Sequence, residues 1–168
     1  ETLKNAGCVQ LAFGLESASQ PMLDNINKLV TVEQMDNAIN LCDKHGFVSQ
    51  GSFMINIPGE KSSDVDKTIN FALTHNIDGG LGMAICTPFP GTKMWKWCID
   101  NYLIDDVVYW GNFKYDTLSI NMSLMPTDQL LRLRDKGTEI FNRCVLDREN
   151  SRVRKVIDMK KQLGVYHD

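Results

Sequence analysis

Closely spaced cysteines are missing from this chain. Its five, Cys8, Cys42, Cys86, Cys98 and Cys144, are scattered through 168 residues without one C-x-x-C pair. Such spacing excludes a self-contained zinc or iron–sulfur site, and an odd, dispersed set does not make a disulfide framework. Long apolar runs are missing too, since none approaches the ~20 residues that a membrane span needs. No stretch combines the basic start and short apolar region of a signal peptide. Low-complexity segments are also absent. The expectation is a cytoplasmic protein with reduced thiols and no membrane span.

What is present is ordinary in amount and uneven in placement. Hydrophobic residues make up 43% and charged residues 23%, as in globular domains generally, and the length suffices for one sizeable core. The net charge is −3. Residues 148–168 hold six Lys/Arg against Glu149, Asp158 and Asp168, so the remainder carries −6. A basic terminal helix can meet nucleic acid or an acidic partner, but a solvated helix face is favoured, and nucleic acid is not expected as a partner.

Along the chain, apolar periodicity alternates. Residues 1–7 read as the last turns of a helix closed by Gly7. Cys8–Phe13 reads as a strand and Gly14–Ser17 as its loop. Thr31, with Gln34 three residues on, opens a helix through a capping box; its stripe is Val32, Met35, Ala38, Ile39 and Cys42, and Gly46 closes it. Phe47–Ile57 is a second strand region. Ser62 or Ser63 caps a helix with the stripe Val65, Ile69, Ala72 and Leu73, ending near His75. Ile77–Cys86 is a third strand region, followed by the loop Thr87–Thr92 and a short helix over Lys93–Asn101. Strands and helices alternating on a period of 30–40 residues predict βαβ units with parallel strands. Residues 102–125 are aromatic and irregular, and their rings are read as packing for the helices that follow. Thr127 caps a long helix with Leu130, Leu131, Leu133, Ile140, Phe141, Cys144 and Val145, and a last helix covers roughly 151–163. His45 and His75 fall at helix ends without a ligand partner at useful spacing.

Three turns rich in glycine, proline and polar groups interrupt this pattern: FGLES at 13–17, FMINIPGE at 53–60 and TPFPGT, which begins at Thr87. Each alone is turn chemistry. If the strands are parallel, all three leave the same end of one sheet, where α/β proteins build their sites.

In this order and spacing the three segments resemble the later half of a radical S-adenosylmethionine enzyme, of the iron–sulfur oxidoreductase type often fused to a cobalamin-binding domain. The resemblance covers residues 1–101, and more loosely the helices to about 145. It implies an α/β fold: the last three βα units of a partial (β/α)6 barrel, followed by a C-terminal helical extension at 102–168. It implies S-adenosylmethionine and a four-iron, four-sulfur cluster as cofactors of the intact enzyme, with cobalamin a candidate third. Glu16 and the adjoining Ser17 stand where the family meets the cofactor's ribose, and a carboxylate suits a diol; a helix-start carboxylate is the alternative. Ile55, Asn56 and Gly59 match the adenine-contacting strand end, with Asn56 in place of the usual glycine, serving the cofactor or the turn. Cys86 and Thr87 match a further backbone contact to adenine, although the Cys86 side chain is read as a small buried hydrophobe. Glu60 is read as a cap for the helix at Ser62.

The family's C-x-x-x-C-x-x-C cluster motif is nowhere in the sequence. The chain is therefore expected to be a fragment lacking the first three βα units, inactive, without metal ligands of its own, and able to pair as a dimer. A non-catalytic half-barrel module for binding or assembly is the alternative.

Overall fold

The structure is a computed structural model that describes residues 2–75, 77–104, 110–114 and 116–143. Its elements in chain order are α1 (Thr2–Asn5), β1 (Gln10–Glu16), α2 (Gln20–Asn25), α3 (Val32–His45), β2 (Val48–Ile55), α4 (Ser62–Thr74), β3 (Ile77–Ile85) and α5 (Lys93–Asp100). A 3-10 turn at Trp110–Asn112 and a helix over residues 127–143, α6, follow. The proposed helix at 151–163 and the stripe residues Cys144 and Val145 lie outside the described residues.

The three strands form one parallel sheet in the order β1-β2-β3, with helices between them. Along β2, Ser49, Gly51, Phe53 and Ile55 are buried while Ser52 is exposed and Gln50 and Met54 are intermediate. That alternation buries one face of the sheet. Leu15, Phe53, Ile55, Ile77, Met83 and Ile85 supply it, packed against Met35 and Ile39 of α3 and Val65, Ile69 and Ala72 of α4. Leu130 and Phe141 of α6 join the same core, with the Phe53 and Phe141 rings 5.2 Å apart. Among the described residues no helix is long and apolar enough to cross a membrane.

Local signals act largely as expected. Thr31 Oγ1 accepts from Gln34 N–H at 3.1 Å, and Gln34 Oε1 accepts from Thr31 N–H at 2.8 Å. Gly46 closes α3 at φ 72° and Gly7 follows α1 at φ 83°, in the left-handed region that glycine enters without a Cβ clash.

Several expectations are corrected. β1 runs on through Gly14 and Leu15 to Glu16 instead of stopping at Phe13, because β2 continues to pair with it. An unexpected helix, α2, follows, with Pro21 in its first turn where a missing N–H costs nothing. Neither Ser62 nor Ser63 caps α4: Asp64 reaches back to Lys61 N–H at 3.1 Å. Leu73 is half exposed, and Thr68 and Phe71 take its place in the buried stripe. α6 begins at Thr127, whose hydroxyl accepts from the Asn121 amide at 3.3 Å rather than capping the helix. Trp110 and Phe113 pack on Trp95 of α5, at 5.9 and 5.7 Å between ring centroids, while Tyr109 and Tyr115 lie outside the described residues.

The placement of α5 matters most for the site. Cys98 of α5 is buried in a separate cluster with Met22, Ile57, Cys86 and Met122, at the C-terminal ends of β2 and β3. The helix that covers the sheet after β3 is α6. Between β3 and α6 the described residues, 86–104, 110–114 and 116–126, form an insertion that crowns the strand ends.

Candidate functional site at the strand ends

Glu16 ends β1 at φ 64° and Asn56 follows β2 at φ 76°. Two non-glycine residues in the left-handed region at neighbouring strand ends mark strained backbone of the kind that gathers at sites. A register shift between Gly14 and Glu16 accompanies the first, and such bulges re-aim side chains.

The Glu16 carboxylate lies back over Gly14. A Cβ at Gly14 would stand 2.7 Å from Glu16 Oε1 and 3.1 Å from Lys28 Nζ. Lys28 donates to Glu16 Oε1 at 3.1 Å, and both side chains are partly exposed. This ion pair sits on the face of the sheet that the helices leave open. Ala12, Gly14, Gln50 and Ser52 line a hollow of 280 Å³ there. Small residues on that face leave room for a ligand. A carboxylate able to accept two hydroxyls beside an ammonium able to hold an anion suits a molecule carrying a diol and a carboxylate.

Ser17 points elsewhere. It is fully buried, its hydroxyl 3.1 Å from Thr68 Oγ1, and it accepts from Ser19 N–H at 3.2 Å. Ser19 Oγ in turn donates to Asp64 Oδ1 at 2.6 Å. Burial alone would raise the Asp64 carboxyl, but bonds from Ser19, Lys61 N–H and Lys67 together hold it below the usual range. This buried polar chain ties the FGLES turn to α4.

Asn56 is fully buried. Its Nδ2 donates to Cys86 O at 3.0 Å and to Ile120 O at 2.9 Å, and its Oδ1 accepts from Met122 N–H at 2.9 Å. Ile55, buried on the core face, accepts from Cys86 N–H at 2.8 Å. Gly59, at φ 77°, donates to Met122 O at 3.0 Å. Thr87 Oγ1 donates to Ile85 O and to Lys114 O, both at 3.0 Å.

Glu60 does not cap α4. It turns back and its Oε2 accepts from Asn56 N–H at 2.7 Å, while Oε1 is buried without a hydrogen-bond partner among the described residues. Burial pushes its carboxyl up to about 7 against the hydrogen bonds from Asn56 and Ile57, with the charge of Asp64 adding to the rise. Burial likewise pushes the Cys86 thiol up to about 12, aided by the Glu60, Glu16 and Cys98 charges. A neutral thiol packed 3.4 Å from Met94 Sδ fits the reading of Cys86 as a small hydrophobe. His75 joins α4 to α3 through Asp36, at 2.5 Å.

The fold thus gathers the named residues at one end of the sheet in two sets. Glu16 with Lys28 and Gly14 faces the open side; Ile55, Asn56, Gly59, Cys86 and Thr87 form a rim bonded to the insertion. Lys28, Gly14 and the partnering of residues 120–124 escaped sequence reasoning. The Ser19–Pro21 start of α2 is the signal that would have brought Lys28 back toward Glu16. Among the described residues, no group of three His, Cys, Asp or Glu side chains is placed to hold a metal.

No family model matches the sequence. Over 139 residues, 82% of this chain, it is 36% identical to an uncharacterized methyltransferase of Pyrococcus horikoshii, covering 29% of that protein. It is 34% identical over 95 residues to the bacteriochlorophyllide d C-8(2)-methyltransferase of Chlorobaculum tepidum, 55% of this chain and 21% of that one. It is 30% identical over 93 residues to the anaerobic magnesium-protoporphyrin IX monomethyl ester cyclase of Rubrivivax gelatinosus, 55% of this chain and 17% of that one. The chain spans less than a third of the length of these relatives. With the three turns in register on one parallel sheet, these similarities show that the chain belongs to the radical S-adenosylmethionine family.

Proposed function

We propose that these residues form the second half of a radical S-adenosylmethionine barrel and supply the ribose, carboxylate and adenine contacts of its cofactor. The observation that carries this reading is the Glu16–Lys28 pair lying over Gly14 on the open face of the sheet. Glu16 would accept the two ribose hydroxyls, and Lys28, released from Glu16 Oε1, would hold the cofactor's carboxylate. Ile55, Asn56, Gly59, Cys86 and Thr87 would hold adenine on a rim kept rigid by the Cys86–Ile55 and Asn56 bonds. Ser17 acts at one remove, holding the Glu16 turn on α4 through Thr68.

The cluster belongs to another part of the enzyme, on a C-x-x-x-C-x-x-C motif outside these residues. With the cluster, S-adenosylmethionine would supply 5′-deoxyadenosyl radical chemistry, with cobalamin a candidate third cofactor. The reaction proposed is methyl transfer or ring closure, the two activities that the relatives' names carry. The isolated chain does neither. In the longer protein, Glu16→Ala weakens S-adenosylmethionine binding by about tenfold or more, the weight of charge-assisted bonds to two hydroxyls. Equilibrium binding would show it, and an unchanged affinity would return Glu16 to the role of a turn carboxylate.

A further inference from the structure

A residue that merely turns the chain at positive φ needs a tolerant backbone and nothing from its side chain. Asn56 does more. Both of its amide hydrogens and its carbonyl oxygen are engaged, and two of the three bonds go to residues 120 and 122, more than sixty positions away. Gly59 N–H donates to Met122 O at 3.0 Å and Leu124 N–H to Glu60 O at 2.8 Å. Residues 120–124 therefore run beside 56–60 as a strap across the end of β2. Under it lies the small cluster of Met22, Ile57, Cys86, Cys98 and Met122, separate from the main core. Beside it opens a cleft of 480 Å³ lined by Asn25, Pro58, Gly59, Lys93, Met94 and Trp97, among others.

We propose that Asn56 is a positioning residue that docks the 120–124 strap on the end of β2 and, through the Gly59–Met122 bond, fixes the Pro58–Gly59 side of this cleft, where the non-reacting part of the substrate is held. The docking stands on geometry alone; its consequence for substrate rests on the strand ends being the cofactor site. Apolar Pro58, Met94 and Trp97 with Lys93 at the mouth suit a flat apolar body bearing an acidic group.

The test separates grip from turn. Asn56→Gly keeps the left-handed turn and loses all three bonds; Asn56→Asp keeps an acceptor for Met122 N–H and loses both donors. The cysteines report the result, because Cys86 and Cys98 belong to the cluster under the strap while Cys42 is buried on α3, outside that cluster. Alkylation of each thiol is followed by mass spectrometry in the 168-residue chain. The glycine variant should label Cys86 and Cys98 about tenfold faster with Cys42 unchanged, and the aspartate variant should fall between. The Met122 and Gly59 amides should lose hydrogen-exchange protection while Phe53 keeps it. Unchanged labelling, or a parallel rise at Cys42, would overturn the proposal. If the glycine variant does not fold, a selective rise in the aspartate variant supports the docking and no rise overturns it. If the thiols respond while Glu16→Ala leaves cofactor binding intact in the longer protein, the docking stands and the cofactor reading fails.

Discussion

Glu60 is a carboxylic acid buried out of reach of bulk solvent. Its folded value near 7 lies above the ordinary 4.5, so the proton binds the folded state more tightly. The stability this contributes is complete below about 4.5 and is lost as pH rises through about 7. Each unit between is worth about 1.4 kcal/mol. Asp64, and Cys86 at the end of β3, face it and change charge outside that window. Unfolding free energy of the wild-type chain relative to Glu60→Gln should therefore fall between about pH 4.5 and about pH 7. Parallel denaturation profiles for the two proteins would show that Glu60 ionises freely. At Gly14 the constraint is space instead. Gly14→Ala places a Cβ against Glu16 and Lys28, both long side chains that can swing away. Its expected effect is on the cofactor: about a tenfold loss of affinity in the longer protein, with thermal stability within a few degrees of wild type. A large loss of stability in its place would mean that the pair holds the fold.

Between elements, close approach is set by glycine on the core face of β2. A Cβ at Gly51 would meet Ile77 Cγ2 at 2.7 Å and Leu15 Cδ1 at 2.9 Å, one from each neighbouring strand. Both are buried, so neither has anywhere to go. Gly51→Ala should cost about 1–3 kcal/mol by overpacking, read as a shift in denaturant midpoint at constant m-value. A neutral result would mean that the sheet opens there at little cost. The insertion between β3 and α6 is of another kind, its described residues held on the strand ends by bonds from Asn56 and Gly59 and by a small apolar cluster. It contributes its Thr87 and Cys86 rim to the site while the covering helix, α6, packs elsewhere.

For the molecule as a whole, β1 pairs only with β2 among the described residues. Val9 O accepts from Val48 N–H, and alternate residues of a parallel strand bond to the same side. Residues 9, 11 and 13 therefore face β2, and the N–H and C=O groups of Gln10, Ala12 and Gly14 face outward. Beside that edge lies a 300 Å³ groove lined by Val30, Met35 and Ala38, and Val9 is largely exposed. An unpaired edge next to apolar surface is a template for another strand. The isolated 168 residues should associate through it as a two-fold pair. Sedimentation at several concentrations should show a dimer that Ala12→Pro abolishes, since proline there removes an outward donor and none used by β2. A wild-type chain that stays monomeric throughout would mean that the edge is protected.

Alternation of apolar periods, the Thr31–Gln34 box, the glycine stops and three strand-end turns are local chemistry, and from them the parallel βα order and the position of Glu16 could be read. Strand limits could not: β1 extends to Glu16 because β2 is there to pair with it, not because Gly14 and Leu15 favour a strand. Nor could the fates of Ser17, Asn56 and Glu60, since a polar side chain takes the partner that folding brings within 3 Å. Thr68 lies 51 residues from Ser17, and Ile120 lies 64 from Asn56. Lys28 came to Glu16 through a six-residue helix whose only advance notice was a proline. What a residue is able to bond was written in its type, whereas which of those bonds it makes was decided by the tertiary structure, because desolvation leaves each buried polar group only the neighbours that packing supplies.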